Sequence, residues 1–115
     1  MANVAMFRDH TDGTIAMASS ASTSASIDLR NRAIAGIYFP TVTSAVYSFQ
    51  ARRVYGSGTY VDVWKTDGSA KYVTATITGA LALSVHDILC GFSEVRVVAS
   101  VVQTAARTIG YTLKG

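Results

Sequence analysis

The chain of 115 residues has one cysteine, one proline and one tryptophan, and only 15% of its residues are charged. Its single cysteine, Cys90, excludes an intrachain disulfide, and its apolar neighbours favour a small buried side chain over a nucleophile. No apolar run reaches the roughly 18 residues that a membrane helix needs. The first dozen residues, which include Arg8 and Asp9, lack the apolar segment of a signal peptide. We therefore expect one domain that has no disulfide framework and does not enter a membrane.

The chain also lacks concentrated charge. Ten Lys and Arg against seven Asp and Glu give a net charge of +3, and the basic residues are scattered apart from short pairs such as Arg52 and Arg53. A nucleic-acid-binding face normally gathers its basic residues on one surface, so direct nucleic-acid binding is not expected. The low charged fraction, against roughly a quarter in typical domains, has two interpretations. Either a partner covers part of the surface, or Ser and Thr take the place of charges there.

Residue patterns that carry chemistry are missing as well. His10 and His86 each adjoin an aspartate, but neighbours on a strand point to opposite faces, and the sequence shows no spacing of three or four metal ligands. Asp12 and Asp67 each precede a glycine and are assigned to turns. There is no Gly-x-Ser-x-Gly elbow and no phosphate-binding loop. We expect a protein that is not an enzyme and that needs no cofactor and no metal.

What the chain does have is apolar and polar residues that alternate with the period of two typical of strands. The segment 44–54, for example, sends Tyr47, Phe49 and Ala51 to one side. Glycine-rich turns separate such segments, and Asp67-Gly68 is predicted as a type I′ hairpin turn. Further strands are expected over residues 33–39, 60–65, 70–77, 94–102 and 107–114. This spacing predicts an all-β, single-domain antiparallel β-sandwich that is jelly-roll-like, with a barrel as the second choice.

The N-terminal part is less regular. Residues 3–7 and Ile15 to Met17 flank Asp12-Gly13 and are interpreted as a small hairpin. Residues 18–26 form a low-complexity run of Ala, Ser and Thr that is either an exposed loop or an extended arm ordered by a neighbouring subunit. We divide the chain into an N-terminal arm or hairpin, residues 1–25, and a β-sandwich domain, residues 26–115.

Aromatic residues gather around the two predicted hairpins. Tyr and Trp are favoured at interfaces, and they would also serve a sugar-binding face. The alternative is that Tyr47 and Trp64 fill the core. With the apolar residues of the N-terminal part, these aromatics give the predicted interface residues, which are Val4, Met6, Phe7, Ile15, Met17, Tyr55, Tyr60 and Trp64.

Several segments resemble small virion structural proteins of tailed bacteriophages. The similarity covers roughly residues 24–115, and it runs through residues 26–29, 34–40, 47–51, 60–63 and 103–109. A Trp near residues 43–45, frequent in such proteins, is absent here. The resemblance implies a β-sandwich module that decorates or cements a capsid and belongs to the virion. Its expected partners are the major capsid protein or other virion proteins, together with further copies of itself in a trimer or ring.

The resemblance leaves a second function open. Tails, baseplates and surface spikes use the same sort of module, and there the protein would bind host glycans through Tyr55, Tyr60 and Trp64.

Overall fold

The computed structural model describes residues 10–29, 33–89 and 91–114. These residues form eight strands and one short helix. The elements are β1 (His10–Met17), β2 (Thr23–Asp28), β3 (Ala33–Phe39), β4 (Tyr47–Arg52), β5 (Val61–Asp62), β6 (Leu81–Leu83), α1 (His86–Leu89), β7 (Glu94–Ala99) and β8 (Arg107–Lys114). The predicted all-β class is confirmed. The four-residue helix lies in the 86–92 segment, for which the sequence left a helical turn or a loop open.

The strands form two antiparallel four-stranded sheets. Sheet A has the order β1-β8-β3-β6, and sheet B has the order β2-β7-β4-β5. The pairs β1–β8, β2–β7, β3–β6 and β4–β5 make the chain one long folded hairpin. The additional pairs β3–β8 and β4–β7 roll that hairpin into two layers. This topology is a jelly roll, which confirms the predicted sandwich.

Period-two alternation fills the space between the sheets. In β4, Tyr47, Phe49 and Ala51 are buried, as the sequence predicts, and Val95 and Val97 of β7 pack on the same inner face of sheet B. Sheet A contributes residues such as Ile37, Ile109 and Leu113 to this core. The rings of Phe39 and Tyr47 meet with their centroids 4.9 Å apart. Tyr47 is therefore a core residue, whereas Trp64 is exposed.

The N-terminal segment differs from the expected arm or hairpin over its described residues. β1 pairs with β8 along its whole length, from His10 opposite Lys114 to Met17 opposite Arg107. The expected turn at Asp12-Gly13 is wrong, because both residues lie inside this strand. A Cβ on Gly13 would lie 2.4 Å from the hydroxyl oxygen of Tyr111. Gly13 is thus needed for the close approach of a ring rather than for a turn.

The Ala/Ser/Thr run continues into the sandwich as well. Its second half lies in β2, which pairs with β7, so the expected domain boundary after residue 25 falls inside a strand. Ser24 is buried, and its hydroxyl accepts a hydrogen bond of 2.9 Å from the backbone N–H of Val97. Small hydroxyl side chains fit here because they pair with the backbone of the neighbouring strand.

The hairpin that follows β5 has a different turn from the one predicted. The N–H of Gly68 donates to the carbonyl of Lys65 at 2.8 Å, and Gly68 has a φ of 71°. Asp67 has no positive φ, so the turn is not type I′. Asp67 accepts two hydrogen bonds from Ser69 instead, at 2.9 and 2.7 Å, and these bonds lower the pKa of its carboxyl group. The predicted strand 70–77 is reduced to isolated bridges, among them Trp64 with Lys71.

Candidate functional site

The structure separates the predicted interface residues. Ile15 and Met17 are buried in the core between the sheets, so neither is available on the surface. Tyr55 and Trp64 are exposed, and Tyr60 is half-buried. The other three predicted residues, Val4, Met6 and Phe7, lie outside the described residues.

A charged cluster lies where β7 begins and β4 ends. We call Ser26, Arg52, Gly56 and Glu94 the Glu94 cluster. Glu94 is only 5% exposed, yet it forms an ion pair with Arg52 and accepts a hydrogen bond of 3.1 Å from the N–H of Gly56. The ion pair with Arg52 is the main reason that the pKa of Glu94 lies below its usual value, and the side chain of Ser26 also helps to lower this pKa. A carboxylate with so little exposed surface needs partners such as these to replace water.

Two guanidinium groups hold the ring of Tyr60 beside this cluster. The Cζ atom of Arg52 lies 4.7 Å from the ring centroid, and that of Arg96 lies 4.1 Å away. Both distances are within the range of cation–π attraction. Tyr60 is therefore engaged with the protein itself, which separates it from the exposed aromatics with which the sequence grouped it.

A row of hydrogen-bonded side chains crosses the outer face of sheet B from Arg96 towards Trp64. The Nε of Arg96 donates to Oε1 of Gln50 at 2.9 Å, and Nε2 of Gln50 donates to Oδ1 of Asp62 at 3.2 Å. Asp62 and Trp64 share the outer face because Val63, between them, is buried. We call Gln50, Asp62, Trp64 and Lys71 the Trp64 face. It combines an exposed indole with polar groups held in place by the sheet.

An apolar depression opens at one end of the sandwich. It has a volume of about 220 Å³ and is lined by Ala51, Arg52, Arg53, Val61, Gly91, Phe92 and Ser93. Ala51 is buried at its base, whereas Val61 is 63% exposed and Phe92 is 36% exposed. Val61 pairs with Ala51 in β5, the short edge strand of sheet B. The depression can accept one large apolar side chain, since engineered cavities of roughly 150 Å³ already bind benzene.

A second polar cluster, at the opposite end of β4 and β7, was missed by the sequence analysis. We call Thr43, Tyr47, Gln103 and Arg107 the Gln103 cluster. Oε1 of Gln103 accepts bonds from the N–H of Thr43 at 3.0 Å and from Nε of Arg107 at 3.3 Å, and Nε2 lies 3.2 Å from the hydroxyl oxygen of Tyr47. Burial is the main cause of the raised pKa of Tyr47. The sequence showed only a polar, small-residue connection at 103–106.

The backbone of Gln103 completes that cluster. Its N–H donates to the carbonyl of Ala21 at 2.9 Å, and its carbonyl accepts from the N–H of Ser20 at 2.7 Å. Gln103 is 1% exposed. Through its backbone and side-chain bonds it joins the β1–β2, β3–β4 and β7–β8 connections at one point. Because all these bonds are internal, the cluster holds the fold together.

In the described part of the chain, no group of three or more His, Cys, Asp and Glu side chains is placed to hold a metal ion. No helix in that part has the length and apolar character needed to cross a bilayer.

Comparisons with protein-family models, with curated proteins and with solved structures give no match to this chain.

Proposed function

We propose that this chain is a non-enzymatic structural component of a tailed phage particle, and specifically a capsid decoration protein. It binds the major capsid protein and stabilises the shell. The observation that carries the proposal is the apolar depression, where Val61 and Phe92 expose apolar surface around an opening of about 220 Å³. An opening of this kind, beside an edge strand, suits insertion of an apolar side chain from a neighbouring protein.

The surroundings of the depression support the same function. Arg52 and Arg53 line it, and Arg52 is fixed by its ion pair with Glu94. A polar rim around an apolar centre is the usual anatomy of a protein–protein interface. The low charged fraction of 15% fits a surface that a partner covers in part.

The fold gives a second kind of support. Jelly rolls build viral capsid and lectin domains, and the segments that resemble virion proteins lie in β2, β3, β4, β5 and the start of β8. Because one fold serves many functions, the jelly roll by itself only makes a capsid role more expected. The proposal rests on the apolar depression. Several copies would associate around a symmetry axis of the shell through heterologous contacts, as in a trimer or ring.

Binding to empty shells tests the proposal. Shells assembled from the major capsid protein of the particle that carries this gene would be mixed with the purified chain and sedimented. We expect wild-type protein to sediment with the shells, and Val61→Asp or Phe92→Asp to reduce the bound amount about tenfold, because each places a charge in the apolar contact.

The matched control is Val73→Asp, an exposed valine that does not line the depression. It should bind like wild type. Failure of the wild-type chain to sediment with shells, or equal binding by Val61→Asp and wild type, would overturn the proposal.

A further inference from the structure

Trp64 presents the largest exposed apolar side chain among the described residues, with 53% of its surface accessible. It belongs to an ordered hairpin: the N–H of Val63 donates to the carbonyl of Phe49 at 3.0 Å, and Trp64 bridges to Lys71 on the returning segment. The backbone that carries the indole is thus paired, to β4 through Val63 and to the returning segment through Lys71. An exposed aromatic ring on a paired backbone has only two side-chain torsions to order, so it offers a large contact area at low entropy cost.

Polar groups of fixed geometry lie beside this indole. Asp62 is two residues away on the same face, and its Oδ1 is already held by Nε2 of Gln50. A carboxylate has about four acceptor positions, so Asp62 retains acceptors for a ligand. Lys71, directly across the hairpin from Trp64, adds ammonium donors.

We infer that the Trp64 face binds a neutral saccharide. A hexopyranose ring has an apolar C–H face that stacks on an indole, and a rim of hydroxyls that pair with carboxylate, amide and ammonium groups. Asp62 is two residues from Trp64 and Lys71 is opposite it across the hairpin, so the two residues nearest in register carry opposite charges, which favours an uncharged sugar over an acidic one. Tyr60 is not part of this site because Arg52 and Arg96 hold its ring.

This inference goes beyond the proposed capsid role, since the depression and the Trp64 face are lined by different residues. A decoration protein with such a face would carry the particle to surfaces coated with polysaccharide. The competing explanation is that Trp64 and Lys71 stabilise their hairpin as a cross-strand pair. That role predicts a loss of stability on substitution and no response to sugars.

The experiment uses the fact that Trp64 is the only tryptophan in the chain. Its fluorescence in the wild-type protein would be titrated with soluble starch, laminarin and galactomannan. We expect at least one of them to shift the emission to shorter wavelength with saturation. The same polysaccharide, cast into a native gel, should retard the protein, and Trp64→Ala should weaken the retardation about tenfold.

Two further variants complete the design. Asp62→Asn, which removes an acceptor charge from the same face, should weaken the retardation by a smaller factor. Tyr38→Ala is the matched control, since Tyr38 is an exposed aromatic of sheet A, and it should bind like wild type. Absence of any fluorescence response, or equal losses for Trp64→Ala and Tyr38→Ala, would overturn the inference. Neither result depends on capsid shells, so failure here leaves the capsid proposal to its own test.

Discussion

The Gln103 cluster and the Glu94 cluster lie at opposite ends of β4 and β7. Both hold neighbouring segments together through a buried polar side chain, but the two side chains differ in charge. Each ties connections or strand ends together around one buried side chain. Gln103 does so with a neutral amide, whereas Glu94 does so with a charge that Arg52 balances. The first end is closed by its hydrogen bonds, and the second is next to the open depression. Both ends therefore stabilise the fold, and the Glu94 end also lies beside an apolar surface that is open to solvent.

The largest effect should come from Gln103→Ala. It removes the acceptor of the Thr43 N–H and the donor to the Tyr47 hydroxyl, which keeps its own bond to the carbonyl of Thr43. It also opens a cavity, so we expect a loss of about 3 kcal/mol in the free energy of unfolding. Urea denaturation measures this loss. Thr104→Ala is the control: the Thr104 hydroxyl bonds to the Thr43 hydroxyl, but Thr104 is exposed, and the substitution should cost less than about 0.5 kcal/mol. Equal losses for the two variants would show that the buried bonds of Gln103 stabilise the fold no more than the exposed bond of Thr104.

Glu94→Gln should cost less, about 2 kcal/mol near neutral pH, because it removes a charge-assisted bond but keeps the side-chain shape. The pKa of Glu94 is lowered in the folded protein, chiefly by Arg52. Its contribution is therefore complete above the usual glutamate pKa and is lost as the pH falls through the lowered folded value.

The difference in unfolding free energy between wild type and Glu94→Gln should accordingly shrink from about pH 7 to about pH 3. Urea titrations at a series of pH values measure it. A difference that stays constant over this range would show that the ion pair with Arg52 does not stabilise the fold.

Trp64→Ala should have a small effect on stability, within about 0.5 kcal/mol, because the indole is mostly exposed and pairs only across a hairpin. Thermal unfolding followed by circular dichroism measures it, since the substitution removes the tryptophan fluorescence. A loss above about 1.5 kcal/mol would assign Trp64 to the stability of the hairpin.

The smallest expected quantity is the coupling between the two clusters. Tyr47 and Arg52 are five residues apart on β4, which at 3.3 Å per residue is about 16 Å. The effects of Gln103→Ala and Glu94→Gln should then add in the double variant to within about 0.5 kcal/mol. A larger coupling energy would mean that the two ends of sheet B do not act independently.

The sequence predicted the fold class well because alternation along a strand depends on local pattern. Tyr47, Phe49 and Ala51 were placed on the inner side of β4 for this reason. The turn predicted at Asp12-Gly13 was wrong because an Asp-Gly dipeptide fits either a turn or a strand in which the glycine makes room for an aromatic ring. Only the position of Tyr111, which is distant in sequence, decides between the two. Pairing over long sequence separations is not encoded in local pattern.

The candidate site was predicted in part. Composition drew attention to Tyr55, Tyr60 and Trp64, but it could not show that two arginines, one of them 36 residues beyond Tyr60, hold the ring of that tyrosine. Nothing in the sequence indicated that Gln103 is buried, because a glutamine in a polar connection is expected to be exposed. A glutamine followed by Thr and small residues between two strong strands could at most have suggested a buried amide that closes one end of a sandwich.

The most direct test of the capsid proposal is a cryo-electron microscopy reconstruction of the virion to which the proposal assigns this chain. The capsid proposal predicts a jelly roll of two four-stranded sheets on the outside of the head, with the end bearing Val61 and Phe92 against the shell. Density for the chain on the tail alone, or a particle without the chain, would contradict it.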